Sequence, residues 1–79
     1  MKVKVYITLK KGVLDTQGKA VMGALENLKF DGVNDLRVGK YMELEVTGTD
    51  KDTVKKQVED MCEKLLANVV MEDYTVEVE

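Results

Sequence analysis

The stretch Asp31–Val46, DGVNDLRVGKYMELEV, constrains the fold of this chain more than any other. Leu36 and Val38 alternate with Asp35 and Arg37, and after Gly39-Lys40 a second run alternates Met42, Leu44 and Val46 with Tyr41, Glu43 and Glu45. Gly39-Lys40 reads as the turn between two strands. A two-residue turn would set Val38 opposite Tyr41 and Leu36 opposite Glu43, splitting the apolar rows, because a one-residue slip reverses every side chain. A three-residue connection, Gly39-Lys40-Tyr41, sets Val38 opposite Met42 and Leu36 opposite Leu44 and restores one apolar face. The pattern predicts a bulged or three-residue hairpin. Lys40 and Tyr41 then sit at an exposed tip, a common place for binding residues.

The flanking segments complete an α+β order. Lys2–Leu9 alternates Val3, Val5, Ile7 and Leu9 with Lys2, Lys4, Tyr6 and Thr8, as a half-buried strand does. Asp15 or Thr16 caps a helix over roughly Gln17–Leu28, with Ala20 or Val21, Ala24, Leu25 and Leu28 at helical spacing. Gly18 and Gly23 each weaken that helix by about 1 kcal/mol relative to Ala, which points to close packing of the helix on a sheet. A loop facing a ligand or partner over Gly12–Gly18 is the other reading. After Gly48, Thr49 or Asp50 caps a second helix over roughly Lys51–Ala67. Its apolar stripe is Val54, Val58, Met61, Cys62, Leu65 and Leu66, and its other face is charged. Tyr74–Glu79 closes the chain as a strand.

The order β-α-β-β-α-β is the ferredoxin-like arrangement in a single domain, residues 1–79. It predicts a four-stranded antiparallel sheet, order 4-1-3-2, with two helices on one face. On the helix-free face, Lys2 and Lys4 would lie between Glu43 and Glu45 on one neighbour and Glu77 and Glu79 on the other. Opposite charges on neighbouring strands favour each other by ~0.2–1 kcal/mol per pair.

A chain of 79 residues buries only roughly 60% of its unfolded surface, so partners are a natural source of added stability. A lone Cys62 and the absence of His exclude an internal disulfide and a zinc site. A net charge of −3 and a pI near 5.0 argue against nucleic acid. MKVKVYITL lacks the apolar core of a signal peptide, and no apolar run reaches membrane-spanning length, so a cytoplasmic location is expected.

Catalytic chemistry is sparse. Without His there is no ready general base near neutral pH, and without Ser no serine nucleophile. Cys62 falls on an apolar stripe and reads as a buried thiol. The glycines fit neither a phosphate loop nor a dinucleotide fingerprint. Arg37-Val38-Gly39-Lys40-Tyr41 is the one local cluster with binding character.

Three segments carry a resemblance: KVYITLKKGVLDTQGKAV, GVNDLRVGKYMELEV and MCEKLLANVVMEDYTVEVE. Together they are similar to the PurS family, the small subunit of phosphoribosylformylglycinamidine (FGAM) synthase, over essentially the whole chain. Thr16 and Val69 depart from the family pattern, which commonly has Pro at both; the prolines stiffen helix boundaries and do no chemistry. The resemblance implies a noncatalytic subunit of purine biosynthesis that forms homo-oligomers, dimer or tetramer. It would assemble with the PurL synthetase and the PurQ glutaminase, bridge them and support ammonia transfer. No cofactor is expected on this chain; the complex uses ATP and Mg, held by PurL.

The expected partner surface is the helix-free face and the residues Arg37, Gly39, Lys40 and Tyr41. Arg37 would make forked hydrogen bonds to a carboxylate, and Tyr41 offers a ring with a polar end. An alternative on the same fold is a small-ligand regulatory domain of the ACT type. An acylphosphatase-like enzyme is discounted, because the Lys10–Asp15 loop has no Arg.

Overall fold

A computed structural model describes residues 1–79. Strand β1 (Lys2–Leu9) leads to helix α1 (Thr16–Asn27), strand β2 (Lys40–Glu45), helix α2 (Lys51–Met61) and strand β3 (Glu72–Val78). Helix α2 ends in a wider, π-helical turn over Cys62–Leu66.

The sheet has three strands, order β2-β1-β3, both pairings antiparallel. The expected fourth strand is missing, so the four-stranded 4-1-3-2 sheet is corrected. Residues 31–39 are irregular and make no backbone–backbone hydrogen bond. No turn forms at Gly39-Lys40: Lys40 pairs with Ile7 and Tyr41 with Tyr6, as the first two residues of β2. The reason lies in the side-chain phase. Leu36, Val38, Met42, Leu44 and Val46 all occupy even positions, so a chain that runs on through Gly39 without turning keeps them in one phase, and all five are half-buried. A three-residue hairpin restores one apolar face only by cancelling a phase break that a chain without a turn never has.

The core lies between one face of the sheet and α2. Val3, Val5 and Ile7 from β1, Val76 from β3, and Val54, Val58, Cys62 and Ala67 are buried. Asp50 caps α2: Oδ1 accepts from Asp52 N at 3.3 Å and Oδ2 from Thr53 Oγ1 at 2.6 Å. The π-helical turn rotates the end of the stripe, burying Cys62 while leaving Leu65 82% exposed, although Leu65 was expected to pack.

The second correction concerns α1, which does not share the face that α2 covers. It has no substantial contact with any strand or with α2, and Gly18 is its only buried residue. The radius of gyration is 15.9 Å, against about 12 Å for a compact chain of this length, and the molecule measures 49 × 24 × 15 Å. Helix α1 and its return segment form an arm on a small body. Gly23 has open space around it, so it serves no close packing. At Gly18 the approach is real but the neighbour is not the sheet: a Cβ there would lie 2.6 Å from Leu36 O of the return segment.

Candidate functional site

The group Arg37, Gly39, Lys40 and Tyr41 is not a tip but lies where the chain returns from the arm into β2 without a turn. Arg37 is committed within the chain, since its guanidinium donates to the carbonyls of Leu9 and of Lys10, the latter at 3.2 Å. Gly39 passes so close to β1 that a Cβ would collide with Ile7 O. Lys40 turns to the α2 side of the sheet, where its Nζ lies 3.5 Å from Glu72 Oε2 of β3. Tyr41 faces the opposite side. Alternation therefore separates Lys40 from Tyr41, which the hairpin reading placed together.

On the helix-free face the Tyr41 ring lies 5.2 Å from that of Tyr6, tilted by 40°. Its hydroxyl donates to Glu43 Oε1 at 2.7 Å. That bond holds the phenol proton and raises its pKa to about 12, while it lowers that of Glu43. The basic row between acidic rows is present: Lys2 lies 3.5 Å from Glu43 and Lys4 2.7 Å from Glu79. The hydrogen bond from Lys4 lowers the Glu79 pKa, and Glu79 in turn raises that of Lys4. These paired charges leave a polar, internally satisfied sheet face.

The apolar surface lies elsewhere. Along the arm Val21, Leu28, Phe30 and Val33 are exposed, Leu28 at 68% and Phe30 at 58%. Leu14, at the root of the arm, is exposed as well. A second group joins Leu65 of the π-helical turn with Val69, Val70 and Met71 in the turn before β3, with Val70 at 81%. Lys10 N donates to Met71 O at 2.8 Å, which places that turn at the end of the sheet where the arm departs. Exposed apolar groups of this extent on a small chain are the kind of surface found at interaction sites. Val21, Leu25 and Leu28 stood in the sequence as a stripe; that Leu25 is half-buried while Val21 and Leu28 are exposed did not show there.

The arm meets the body at Asp15. Its Oδ1 accepts from Gly18 N and its Oδ2 from Val38 N, both at 2.8 Å, and these two bonds hold the carboxyl below the usual carboxylate range. Sequence reasoning found the cap and missed the bond to Val38, since nothing local relates positions 15 and 38. A cleft of about 230 Å³ opens beside this joint, lined by Ile7, Leu14, Asp15, Val38, Lys40 and Glu72 among others. Cys62 is buried, and burial followed by Glu59 and Glu63 raises its thiol pKa, which is the reverse of an activated nucleophile. No helix is long and apolar enough to cross a membrane.

Comparison with known proteins shows what the chain is similar to. The PurS family model, phosphoribosylformylglycinamidine (FGAM) synthase, matches residues 2–79. The PurS subunit of phosphoribosylformylglycinamidine synthase from Bacillus subtilis is 55% identical over 78 residues, covering 99% of this chain and 92% of the relative. The crystal structure of Methanocaldococcus jannaschii PurS superposes with a TM-score of 0.89 at 41% identity, covering 99% of this chain and 94% of that one. A chain of the Thermotoga maritima PurLQS structure superposes with a TM-score of 0.88 at 33% identity, covering 96% and 93%. A match of this length does not favour the ACT-type reading. With the family model spanning nearly every residue and these relatives aligned end to end, the chain belongs to the PurS family, whose members are subunits of phosphoribosylformylglycinamidine synthase.

Proposed function

We propose that this chain is the noncatalytic assembly subunit of its synthase, bridging the PurL synthetase and the PurQ glutaminase in the cytoplasm and supporting ammonia transfer between them. The observation that carries this reading is the arm. An amphipathic helix that leaves Val21 and Leu28 exposed, followed by residues 31–39 with no backbone–backbone hydrogen bond, is a surface shaped for other chains. A second copy and the synthetase are the two occupants this reading assigns. The sparse chemistry of the chain agrees: Cys62 is unactivated, and the charged residues of the sheet face pair with one another. ATP and Mg belong, on this reading, to PurL.

Size-exclusion chromatography with light scattering tests it, using this chain alone and mixed with PurL and PurQ in the presence of glutamine and ADP-Mg. Co-elution of all three components is the expected outcome, with the isolated chain running as a homo-oligomer. A monomer throughout, with no complex in any mixture, overturns the reading.

A further inference from the structure

We propose that Asp15 is a positioning residue for the arm: its carboxylate ties the root of α1 to the strand returning into the sheet and so sets the angle at which the apolar stripe is presented. This rests on the assembly reading above and names the part of the molecule on which presentation depends.

The geometry is that of a clasp. The chain leaves the sheet through residues 10–15 and re-enters it through residues 36–39, so the arm is joined to the body by two strands of chain lying side by side. An arm without substantial contact to the sheet or α2 would swing about two such connections unless something fixed them to each other. Asp15 does so with one side chain. Oδ1 accepts from Gly18 N, which starts the helix, and Oδ2 accepts from Val38 N, which belongs to the returning chain, both at 2.8 Å. Both oxygens are in use: a hydroxyl or an amide offers a single acceptor oxygen where the site uses two.

Other contacts at the joint bring the two chains together but do not duplicate this bond. Arg37 donates to the carbonyls of Leu9 and Lys10, pinning the returning chain to the end of β1. Gly18 lets the first turn of α1 lie directly against Leu36 O. Between them Val38 N donates to the Asp15 carboxylate and to no backbone carbonyl. Hydrogen bonds with an ionised donor or acceptor are about twice as strong as neutral ones, so the Asp15 and Arg37 bonds are both strong, but only the Asp15 carboxylate links the returning chain to α1 itself.

Asp15→Ser separates the two duties. Ser is as good an N-cap as Asp, so α1 keeps its first turn, but its single short hydroxyl cannot also reach Val38. In the full-length chain the Val38 amide is expected to exchange with solvent about tenfold faster, while the amides of Gly18, Val5 and Ile7 keep their wild-type rates. Spin labels at Asn27→Cys on the arm and Thr75→Cys on the sheet, diluted into unlabelled protein, are expected to show a broadened distance distribution. Binding to the synthetase and glutaminase subunits is expected to weaken by about tenfold. Asp15→Asn is the second variant, and whichever way its amide turns, an NH2 group faces one of the two N–H donors. It should therefore deprotect either Gly18 or Val38.

An unchanged Val38 rate in both variants overturns the proposal, as does an unchanged distance distribution. Acceleration of Val5 and Ile7 together with Val38 also overturns it, because the carboxylate then supports the whole fold. Intact partner binding with an opened joint removes the positioning role. Exchange and distances are read on the chain itself, so failure of the unsubstituted chain to bind its partners would count against the assembly reading and not against the clasp.

Discussion

The hydroxyl of Tyr41 donates to Glu43 Oε1 at 2.7 Å, two residues along the same strand and on the same face of the sheet. The pair shares a proton that solvent would otherwise claim. Removing it leaves two negative charges side by side, so the phenol holds on until about pH 12. Spectrophotometric titration should resolve one tyrosine ionising near that value, and Glu43→Gln should bring it back toward an ordinary tyrosine. The sign for stability follows. A raised folded-state pKa contributes stability that is present below the unfolded value of 10.0 and lost as pH rises through about 12.

The acid side behaves oppositely. Asp15, Glu43, Asp50 and Glu79 have folded pKa values lowered by hydrogen bonds from Val38, Tyr41, Thr53 and Lys4 respectively. Stability from these groups is present above their unfolded values, 3.8 for Asp and 4.5 for Glu, and lost as pH falls through the folded ones. A thermal melt series should show Tm constant through neutral pH and falling below about pH 4.5. Glu79→Gln should shrink that fall, and a Tm that rises on acidification would contradict the assignment.

Core and arm should respond differently to truncation. Val58 is fully buried in the core, so Val58→Ala should cost about 2 kcal/mol in denaturant unfolding. Leu28 is mostly exposed on the single chain, so, at concentrations low enough to dissociate any oligomer, Leu28→Ala should change unfolding by less than about 0.5 kcal/mol. Its effect should appear instead in association, as a lower molar mass by light scattering. Equal destabilisation by the two would mean that the arm packs on its own body.

Gly39 gives a direct test of the path without a turn. At an exposed hairpin tip Gly39→Ala would be tolerated. Here the new methyl would press on Ile7 O within the β1–β2 ladder, at a cost of about 2 kcal/mol. The same unfolding measurement decides between the two geometries.

Much of the body was legible in the sequence. The alternation of Val3, Val5 and Ile7, the Val54, Val58, Cys62 stripe and the acidic rows beside Lys2 and Lys4 are local or pairwise patterns, and periodicity reports them directly. Gly39-Lys40 misled because glycine permits a turn without requiring one, whereas the even-numbered apolar run from Leu36 to Val46 carries the stronger constraint. What only the tertiary structure decided is where α1 goes. Val21, Leu25 and Leu28 make the same stripe whether it covers this chain's sheet or a surface on another chain, because hydrophobic burial has no direction and no preferred partner. The choice is made at the joint, where a carboxylate at position 15 meets an amide at position 38, and no periodicity records a bond between residues so far apart.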